Sequence, residues 1–239
     1  MIEFQIGRRS SQLEIMDDLQ LKGPELGHLL NDLARVNRYL GGNRTVTQGI
    51  NGLLEGVVTK EPIVVVDLGC GDGELLRHLS RWFKKRGIPF KGMGIDANRH
   101  ILELAENRSL DFQDITYRNL DIFDTTANWP QMDIAVCSLF LHHFGDEQII
   151  SILNKFCTQC RLGIVISDLE RNRMALQLFR LVAPVFTRSS IARHDGQVSI
   201  ARGFTRHELD QLALKIAGRH QISRKWAYRW QWNIQPQIT

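Results

Sequence analysis

Five short runs of mainly apolar residues alternate with amphipathic segments between residues 63 and 169. Nearly continuous apolar runs are typical of parallel strands that helices cover on both faces, which predicts a doubly wound α/β sheet. The segment HQISRKWAYRWQWNI, near the end of the chain, predicts two more strands joined by a tight turn and antiparallel to each other. Together these segments predict a seven-stranded, mostly parallel sheet. The five runs read IVVVDL, FKGMGID, ITYRNLDI, MDIAVCSLFL and LGIVISDL.

Helical segments precede and follow the predicted sheet. Pro24 and the Gly41-Gly42 pair bracket ELGHLLNDLARVNRYL, whose leucines recur at helical spacing, and TVTQGINGLLEGVV predicts a second helix. Another helix, TRHELDQLALKIAG, is predicted before the final strand pair. These patterns predict an N-terminal helical extension over residues 1–58, followed by one domain over residues 59–239. Within that domain, residues 171–203 form a long insertion before the last helix.

Size and composition restrict the class of protein. A chain of 239 residues with 43% apolar content can bury one full core and a small appendage. It contains no stretch of about 18 apolar residues that could span a membrane. The first ten residues lack the apolar centre of a secretory signal, and the cysteines show no disulfide spacing, so we expect a cytoplasmic protein. The net charge of +4 is mild and the basic residues are dispersed, which argues against a nucleic-acid partner.

The first apolar run leads directly into DLGCGDG, where Gly69, Gly71 and Gly73 let the backbone approach a ligand closely. A dinucleotide site would use G-x-G-x-x-G, with a pyrophosphate on the helix N-terminus. Asp67 stands two residues before the first glycine and would repel a pyrophosphate. The same carboxylate favours a ligand that carries an ammonium group and a sulfonium, so the dinucleotide hypothesis is the weaker one.

DLGCGDG matches the motif D-x-G-x-G-x-G at every fixed position, and in this the sequence resembles the class I S-adenosylmethionine-dependent methyltransferases. The resemblance covers residues 61–169 well. It implies a Rossmann-like sheet with an antiparallel last strand, S-adenosyl-L-methionine (SAM) as cofactor and S-adenosyl-L-homocysteine (SAH) as product. Asp96 ends the second run where the family binds the ribose hydroxyls, and Asp121 falls where the family places an acid near the adenine, with Asp124 as an alternative. The implied cofactor-binding residues are Asp67, Gly69, Cys70, Gly71, Asp96, Ala97, Asp121, Ile122 and Ser138.

Candidate catalytic residues follow the fourth and fifth runs, which are neighbouring strands in this fold. His142 and His143 come after the fourth run, and Asp168 ends the fifth. If the acceptor is a hydroxyl, a carboxylate could orient one imidazole and make it a general base. Consecutive side chains point apart in an extended segment, so only one histidine is expected to face the acceptor. The alternative is that both histidines only line the cofactor pocket.

The insertion over residues 171–203 is largely apolar with helical spacing, and a few polar groups accompany it. In relatives of this kind, such an insertion and the N-terminal helices form a lid over the acceptor. An apolar lid with a few polar groups fits a small, partly aromatic molecule. We expect Phe179, His194 and Arg202 to bind it. The single C-x-x-C, CTQC, has no second ligand pair at zinc spacing, so no metal site is predicted.

These patterns favour methyl transfer to a small-molecule acceptor, at a hydroxyl of an aromatic or polyketide-like compound. Three alternatives stay open: a quinone-type carbon methyltransferase, a methyltransferase for RNA or protein, and a binding module without turnover. Trp226, Trp230 and Trp232 with nearby basic residues could form a stacking platform for nucleic acid, but alternation along paired strands explains them better. The sequence leaves the oligomeric state open, a dimer included.

Overall fold

A computed structural model describes residues 2–124 and 126–237. Its centre is a seven-stranded sheet with the strand order β3-β2-β1-β4-β5-β7-β6. Neighbouring strands are parallel except that β7 runs antiparallel to both β5 and β6. This topology confirms the predicted doubly wound sheet with an antiparallel last strand. The strands are β1 Ile63–Leu68, β2 Phe90–Asp96, β3 Ile115–Asn119, β4 Met132–Ser138, β5 Cys160–Leu169, β6 Arg219–Lys225 and β7 Arg229–Gln235.

Helices cover both faces of the sheet because the central strands β1, β4 and β5 are buried on both sides. The second and third helices pack with one buried cluster around Val65, and the fifth and eighth with another around Ile166. In the described ranges no helix combines the length and the apolar content needed to cross a membrane. The helices are α1 Pro24–Tyr39, α2 Gly42–Leu53, α3 Glu74–Lys85, α4 Arg99–Arg108, α5 Asp146–Gln159, α6 Arg173–Phe186, α7 Ser190–Arg202 and α8 Arg206–Ala213.

The chain order reverses at the middle of the sheet, where β1 pairs with β2 on one side and with β4 on the other. In open α/β sheets a ligand binds outside the carboxyl ends of the strands at such a reversal. Helices α1, α6 and α7 pack against one another next to this edge, and we call these three helices the cap. The cap therefore stands where the sheet topology places a ligand.

Helix α2 belongs to the layer that covers the sheet, which differs from the sequence-based boundary at residue 58. Its Val46, Ile50 and Leu53 are buried in one cluster with β1 and β4 residues. It ends at Leu53, earlier than predicted, and the chain turns at Gly56 with φ of 76°. Of the predicted N-terminal extension, only the part before α2 lies outside the sheet-covering layers.

The paired strands at the end of the chain bury two of the three tryptophans considered above. Trp232 is completely buried and Trp230 nearly so, both within the cluster around β5, as alternation along paired strands predicts. Trp226 lies in the turn between β6 and β7 and is 69% exposed. Ala227 and Tyr228 adopt positive φ in this turn, as tight hairpin turns require. The three rings therefore do not form one stacking platform.

Gly49 sets the distance between α2 and the sheet. A Cβ at this position would lie 2.5 Å from Val165 Cγ1 and 2.8 Å from Asn233 Oδ1, whereas a Cβ at Gly52 would meet nothing closer than 3.8 Å. We expect Gly49→Ala to lower the free energy of unfolding by about 1–3 kcal/mol, because the clash exceeds the gain in helix propensity. The matched variant Gly52→Ala should raise it by up to about 1 kcal/mol. Urea unfolding measures both, and equal effects would contradict this account of the packing.

Candidate active site

The turn between β1 and α3 is built on three glycines with positive φ: Gly69, Gly71 and Gly73, at 69°, 53° and 74°. A Cβ on Gly69 would collide with the ring of Phe140, and a Cβ on Gly73 would collide with the hydroxyl of Tyr117. A Cβ on Gly71 would meet no atom within 4 Å. Two glycines are thus required by packing, and the third leaves open space beside the backbone.

That open space belongs to a cavity at the carboxyl ends of β1 and β4, which we call the acidic cavity. Asp67, Gly69, Cys70, Gly71 and Ser138 line it, all of which the sequence predicts as cofactor residues. The Oδ1 atom of Asp67 is buried without a hydrogen-bond partner among the described residues. Burial, with the negative charges of Asp96 and Glu74, raises the pKa of Asp67 well above its usual value.

A cationic ligand fits the acidic cavity on these grounds. Unpaired buried carboxylates are costly, and a ligand with an ammonium and a sulfonium group would offset the cost. Asp72 also lines the cavity, but its carboxylate is paired with Arg77 and Arg108. The residues present therefore fit the S-adenosyl group, whereas a pyrophosphate would add negative charge to a site that already carries too much.

The other predicted cofactor residues lie at the ends of β2 and β3. Asp96 accepts hydrogen bonds from the backbone N–H groups of Gly71, at 3.1 Å, and Asn98, at 2.9 Å, so its carboxylate ties the second strand to the glycine turn. Ala97 is exposed and Ile122 is buried. Asp121 is exposed, and its Oδ1 accepts from the N–H of Phe123 at 2.9 Å. Their contacts with a cofactor remain predictions.

His142 is held between two buried carboxylates. Its Nδ1 donates to Asp168 Oδ1 at 2.7 Å, and its Nε2 lies 3.2 Å from Glu14 Oε1. Burial alone would lower the pKa of this imidazole, but the two carboxylates outweigh burial and raise the pKa to about 10. A histidine that keeps both protons at neutral pH cannot accept another one. The two carboxylates hold the His142 ring in place, and its predicted catalytic role stays a prediction.

His143 has a different environment one residue later. Its Nδ1 donates to Asp17 Oδ1 at 2.6 Å, and its side chain is 21% exposed and lines the acidic cavity. Within the described part of the chain, its Nε2 makes no hydrogen bond. The two histidines lie in a 3₁₀ turn, Leu141–His143, with ring centroids 4.3 Å apart. The expectation that they point apart assumed an extended segment and is wrong, since both line the same cavity.

Two of the carboxylates that contact the histidines, those of Glu14 and Asp17, come from the N-terminal segment. Glu14 precedes a short 3₁₀ turn, Ile15–Asp17, and Asp17 ends it; the N–H groups of Ile15 and Met16 donate to the buried Asp195 carboxylate at 2.9 and 3.0 Å. Sequence reasoning missed these acids, because they belong to no motif and lie more than 120 residues from the histidines. The active site is therefore closed by a segment that precedes the first helix.

Two of the three predicted substrate-binding residues, Arg202 and His194, stabilise the histidine turn and the N-terminal segment instead of lining a cavity. The guanidinium of Arg202 donates to the carbonyl oxygens of His142 and His143, at 3.1 and 2.7 Å, and to Asp17 Oδ2 at 2.7 Å. His194 Nδ1 lies 2.9 Å from Asp195 Oδ1. Neither side chain is among the residues that line the two cavities of the site. Only Phe179 lines the cavity described next.

A second and larger cavity, of about 850 Å³, lies between the cap and the β6–β7 turn, and we call it the apolar cavity. Leu33, Leu139 and Ser199 line both cavities, so the two are adjacent. Arg229 also lines this cavity. Its side chain is buried, and its Nη1 has no hydrogen-bond partner among the described residues. The apolar lining residues include Val36, Leu40, Leu169, Ala175, Leu178, Phe179, Val182, Phe186 and Ile200.

Glu14, His142 and His143 offer ligand-type atoms within 4.8 Å of one another, the spacing of a metal centre. A metal needs the lone pair of a neutral imidazole. The carboxylates on either side of His142 keep both of its nitrogens protonated. The geometry favours an ion-pair cluster at this position over a metal centre.

Comparison with known proteins agrees with the fold and the glycine turn. Residues 65–163 match the family described as "Methyltransferase domain". The plantazolicin methyltransferase in complex with SAH is 15% identical, with a TM-score of 0.63 over 85% of this chain and 88% of that one. Human N-acetylserotonin methyltransferase with SAM is 18% identical, with a TM-score of 0.64 over 90% and 56% of the two chains. Magnesium protoporphyrin IX methyltransferase from Synechocystis, with SAH, is 14% identical, with a TM-score of 0.55 over 82% and 84%.

No curated protein sequence matches the chain significantly. The strand order, the glycine turn and the solved structures define the fold as that of the class I methyltransferases. Residues 65–163 match a methyltransferase domain, and the solved structures that share this fold hold SAM or SAH. The resemblance drawn from DLGCGDG is thereby confirmed.

The charge on His142 makes a testable contribution to stability. Its pKa is about 10 in the folded protein and about 6.5 in an unfolded chain. The ion pairs therefore stabilise the fold fully below about pH 6.5, and this contribution is lost as the pH rises towards 10. We expect His142→Gln to lower the free energy of unfolding by about 3–5 kcal/mol at neutral pH, because two buried carboxylates lose their cation.

Denaturant unfolding of the wild type and of His142→Gln between pH 6 and pH 9.5 tests this expectation. The difference between the two proteins should shrink as the pH rises. His143→Gln, at the half-buried neighbour, serves as the control and should cost less. A difference that stays constant with pH would show that His142 is neutral in the folded protein.

Proposed function

We propose that the protein transfers a methyl group from SAM to a hydroxyl of an apolar, aromatic or polyketide-like small molecule. The observation that carries this proposal is the junction of the two cavities, where an acid-rich pocket suited to the cofactor meets an 850 Å³ apolar pocket. His143 lines the acidic cavity, and Leu139 and Ser199 line both. An acceptor in the apolar cavity would meet the cofactor beside an imidazole.

Cofactor binding rests on the residues around the glycine turn. Among the described residues the Asp67 Oδ1 atom has no partner, so it can receive a cationic group of the ligand, and the open side of Gly71 admits the ligand against the backbone. Asp96 is placed to accept the ribose hydroxyls with the oxygens that now bind the N–H groups of Gly71 and Asn98. The bound cofactor supplies a methyl group that its sulfonium already activates, so the protein has mainly to align the acceptor and exclude water.

His143 is the group we assign as the general base. Asp17 accepts the Nδ1 proton of His143, which fixes the tautomer with a free Nε2 lone pair. That nitrogen can take the hydroxyl proton of an acceptor as the oxygen attacks the methyl group. His142 and Asp168, which the sequence also suggested as catalytic residues, hold the turn on which His143 stands. This division of roles follows from the number of carboxylates that each imidazole contacts.

The apolar cavity favours an acceptor with a ring system or an alkyl chain over a nucleic acid or a protein. Its walls are mostly aliphatic and aromatic, and the buried Arg229 has a nitrogen, Nη1, that no other described residue binds and that can bind an oxygen of the acceptor. A phenol with a second oxygen atom matches this distribution. The solved relatives are named for plantazolicin, N-acetylserotonin and magnesium protoporphyrin IX, so the fold at this similarity is compatible with very different acceptors.

A carbon acceptor of the quinol type is the second candidate function. The same apolar cavity would hold it, and the same cofactor residues would act. The two functions differ in their need for a base, because a hydroxyl must lose its proton during the transfer whereas an electron-rich carbon attacks first. The dependence of turnover on His143 therefore distinguishes them.

Cofactor binding is tested with Asp96. We expect Asp96→Ala to weaken SAH binding by about 1.5–3 kcal/mol, since hydrogen bonds to a charged group are lost. Isothermal calorimetry measures this directly, with Asp111→Ala as a control at an exposed acid near the opposite end of β3. Equal affinities of wild type and Asp96→Ala would assign the ribose to another residue. The absence of SAH binding by the wild type would reject the proposed function.

Methyl transfer is tested with labelled SAM and a panel of alkylphenols, quinols, transfer RNA and protein. For a phenol acceptor, His143→Ala should lower kcat by about 10²–10⁴-fold, while SAH affinity stays unchanged. Asp17→Asn should act in the same direction more weakly, because it only orients the imidazole. The exposed His207 gives a matched control, His207→Ala, with wild-type turnover expected. Full activity of His143→Ala would exclude an imidazole base and favour a carbon acceptor.

A further inference from the structure

Helix α6 of the cap is apolar on its outer surface as well as on its inner one. Its inner side chains pack in the cap, and Ala175 and Leu176 form a buried cluster with Ile200. Its outer side carries Met174, Leu178, Leu181 and Val185, at successive steps of four, three and four residues. Leu181 is 75% exposed and Val185 80%. This spacing places the four side chains on one stripe of the helix, which no described part of the chain covers.

Positive charge borders this stripe. Residues 171–194 contain five arginines and no aspartate or glutamate. Arg173, Arg180 and Arg188 are exposed, on or directly after α6. An exposed apolar stripe flanked by arginines is the pattern of a helix that lies in the interface of an anionic lipid bilayer. A helix that only covers the core would carry polar residues on its outer side.

The mouth of the apolar cavity opens on the same surface. Tyr39, Leu178 and Trp226 line that cavity and are also exposed. Tyr39 packs against Phe186 at the end of α6, with ring centroids 5.7 Å apart. An exposed tryptophan is a side chain that settles at the boundary between lipid headgroups and acyl chains. The stripe, the aromatic rim and the opening therefore form one continuous surface.

We propose that the outer face of α6, with Trp226, docks on an anionic membrane surface, so that the apolar cavity receives its acceptor from the lipid. The arginines match the charge of the headgroups, and the stripe matches the acyl region beneath them. An acceptor that partitions into membranes enters the cavity without crossing water. The nature of that acceptor rests on the proposed function, whereas the membrane contact stands without it.

Co-sedimentation with vesicles tests the docking without any need for turnover. The wild type should bind vesicles of phosphatidylcholine with phosphatidylglycerol, bind pure phosphatidylcholine more weakly, and lose binding to the anionic vesicles as salt is raised. The double variant Leu181→Glu with Val185→Glu should weaken binding to anionic vesicles by about tenfold or more. Both substituted side chains are exposed, so the fold should tolerate the change.

The matched control is Val58→Glu with Leu214→Glu, since both residues are highly exposed and lie outside the cap. It makes the same change in charge and in apolar surface and should bind vesicles as the wild type does. Equal loss in both double variants, or no binding of the wild type to anionic vesicles, would overturn the proposal. If the wild type does not bind anionic vesicles, an acidic protein would be the better candidate partner for the outer face of α6. SAH calorimetry on each variant reports separately on the cofactor site.

Discussion

His142 connects three parts of the chain that are remote in sequence, and the site depends on that connection. Its two carboxylate partners are Asp168, at the end of β5, and Glu14, in the segment before the first helix. The buried cation holds the two anions together, because removing it would leave two buried carboxylates without their counter-charge. The N-terminal segment is thereby fixed over the carboxyl ends of β4 and β5. The open edge of a generic α/β sheet becomes an enclosed site.

The same cluster gives different chemistry to two adjacent residues of one type. His142 has a carboxylate on each nitrogen and keeps its proton, whereas His143 has Asp17 on one nitrogen only. Arg202 donates to the carbonyl oxygens of both histidines and to the Asp17 carboxylate. These bonds fix the Leu141–His143 turn to α7 and to the N-terminal segment. An imidazole with one oriented nitrogen and one free nitrogen is suited to accept a proton. The difference arises from the partners and not from the residue type.

The sequence predicts the sheet and the cofactor turn because both depend on local patterns. Apolar runs identify strands by their own composition, and the glycines of DLGCGDG mark a turn whose positive φ angles are a local requirement. Glu14 and Asp17 escaped prediction because their role arises only after the N-terminal segment packs on Asp195. The packing of α2 on the sheet was missed for a similar reason, since the helical pattern of α2 is the same whether the helix covers the sheet or stands apart. Tertiary contact decides such cases.

Leu139 shows how the backbone itself directs the site. It follows β4 with φ of 53°, a left-handed conformation that costs a side chain other than glycine about 1 kcal/mol or more. Its N–H donates to the carbonyl of Ser167 at 2.9 Å, which holds the turn against β5. The side chain lines both cavities, so it separates the acid-rich pocket from the apolar one. A glycine would remove the strain and would also remove this side chain from the junction of the two cavities, which it shares with Leu33 and Ser199.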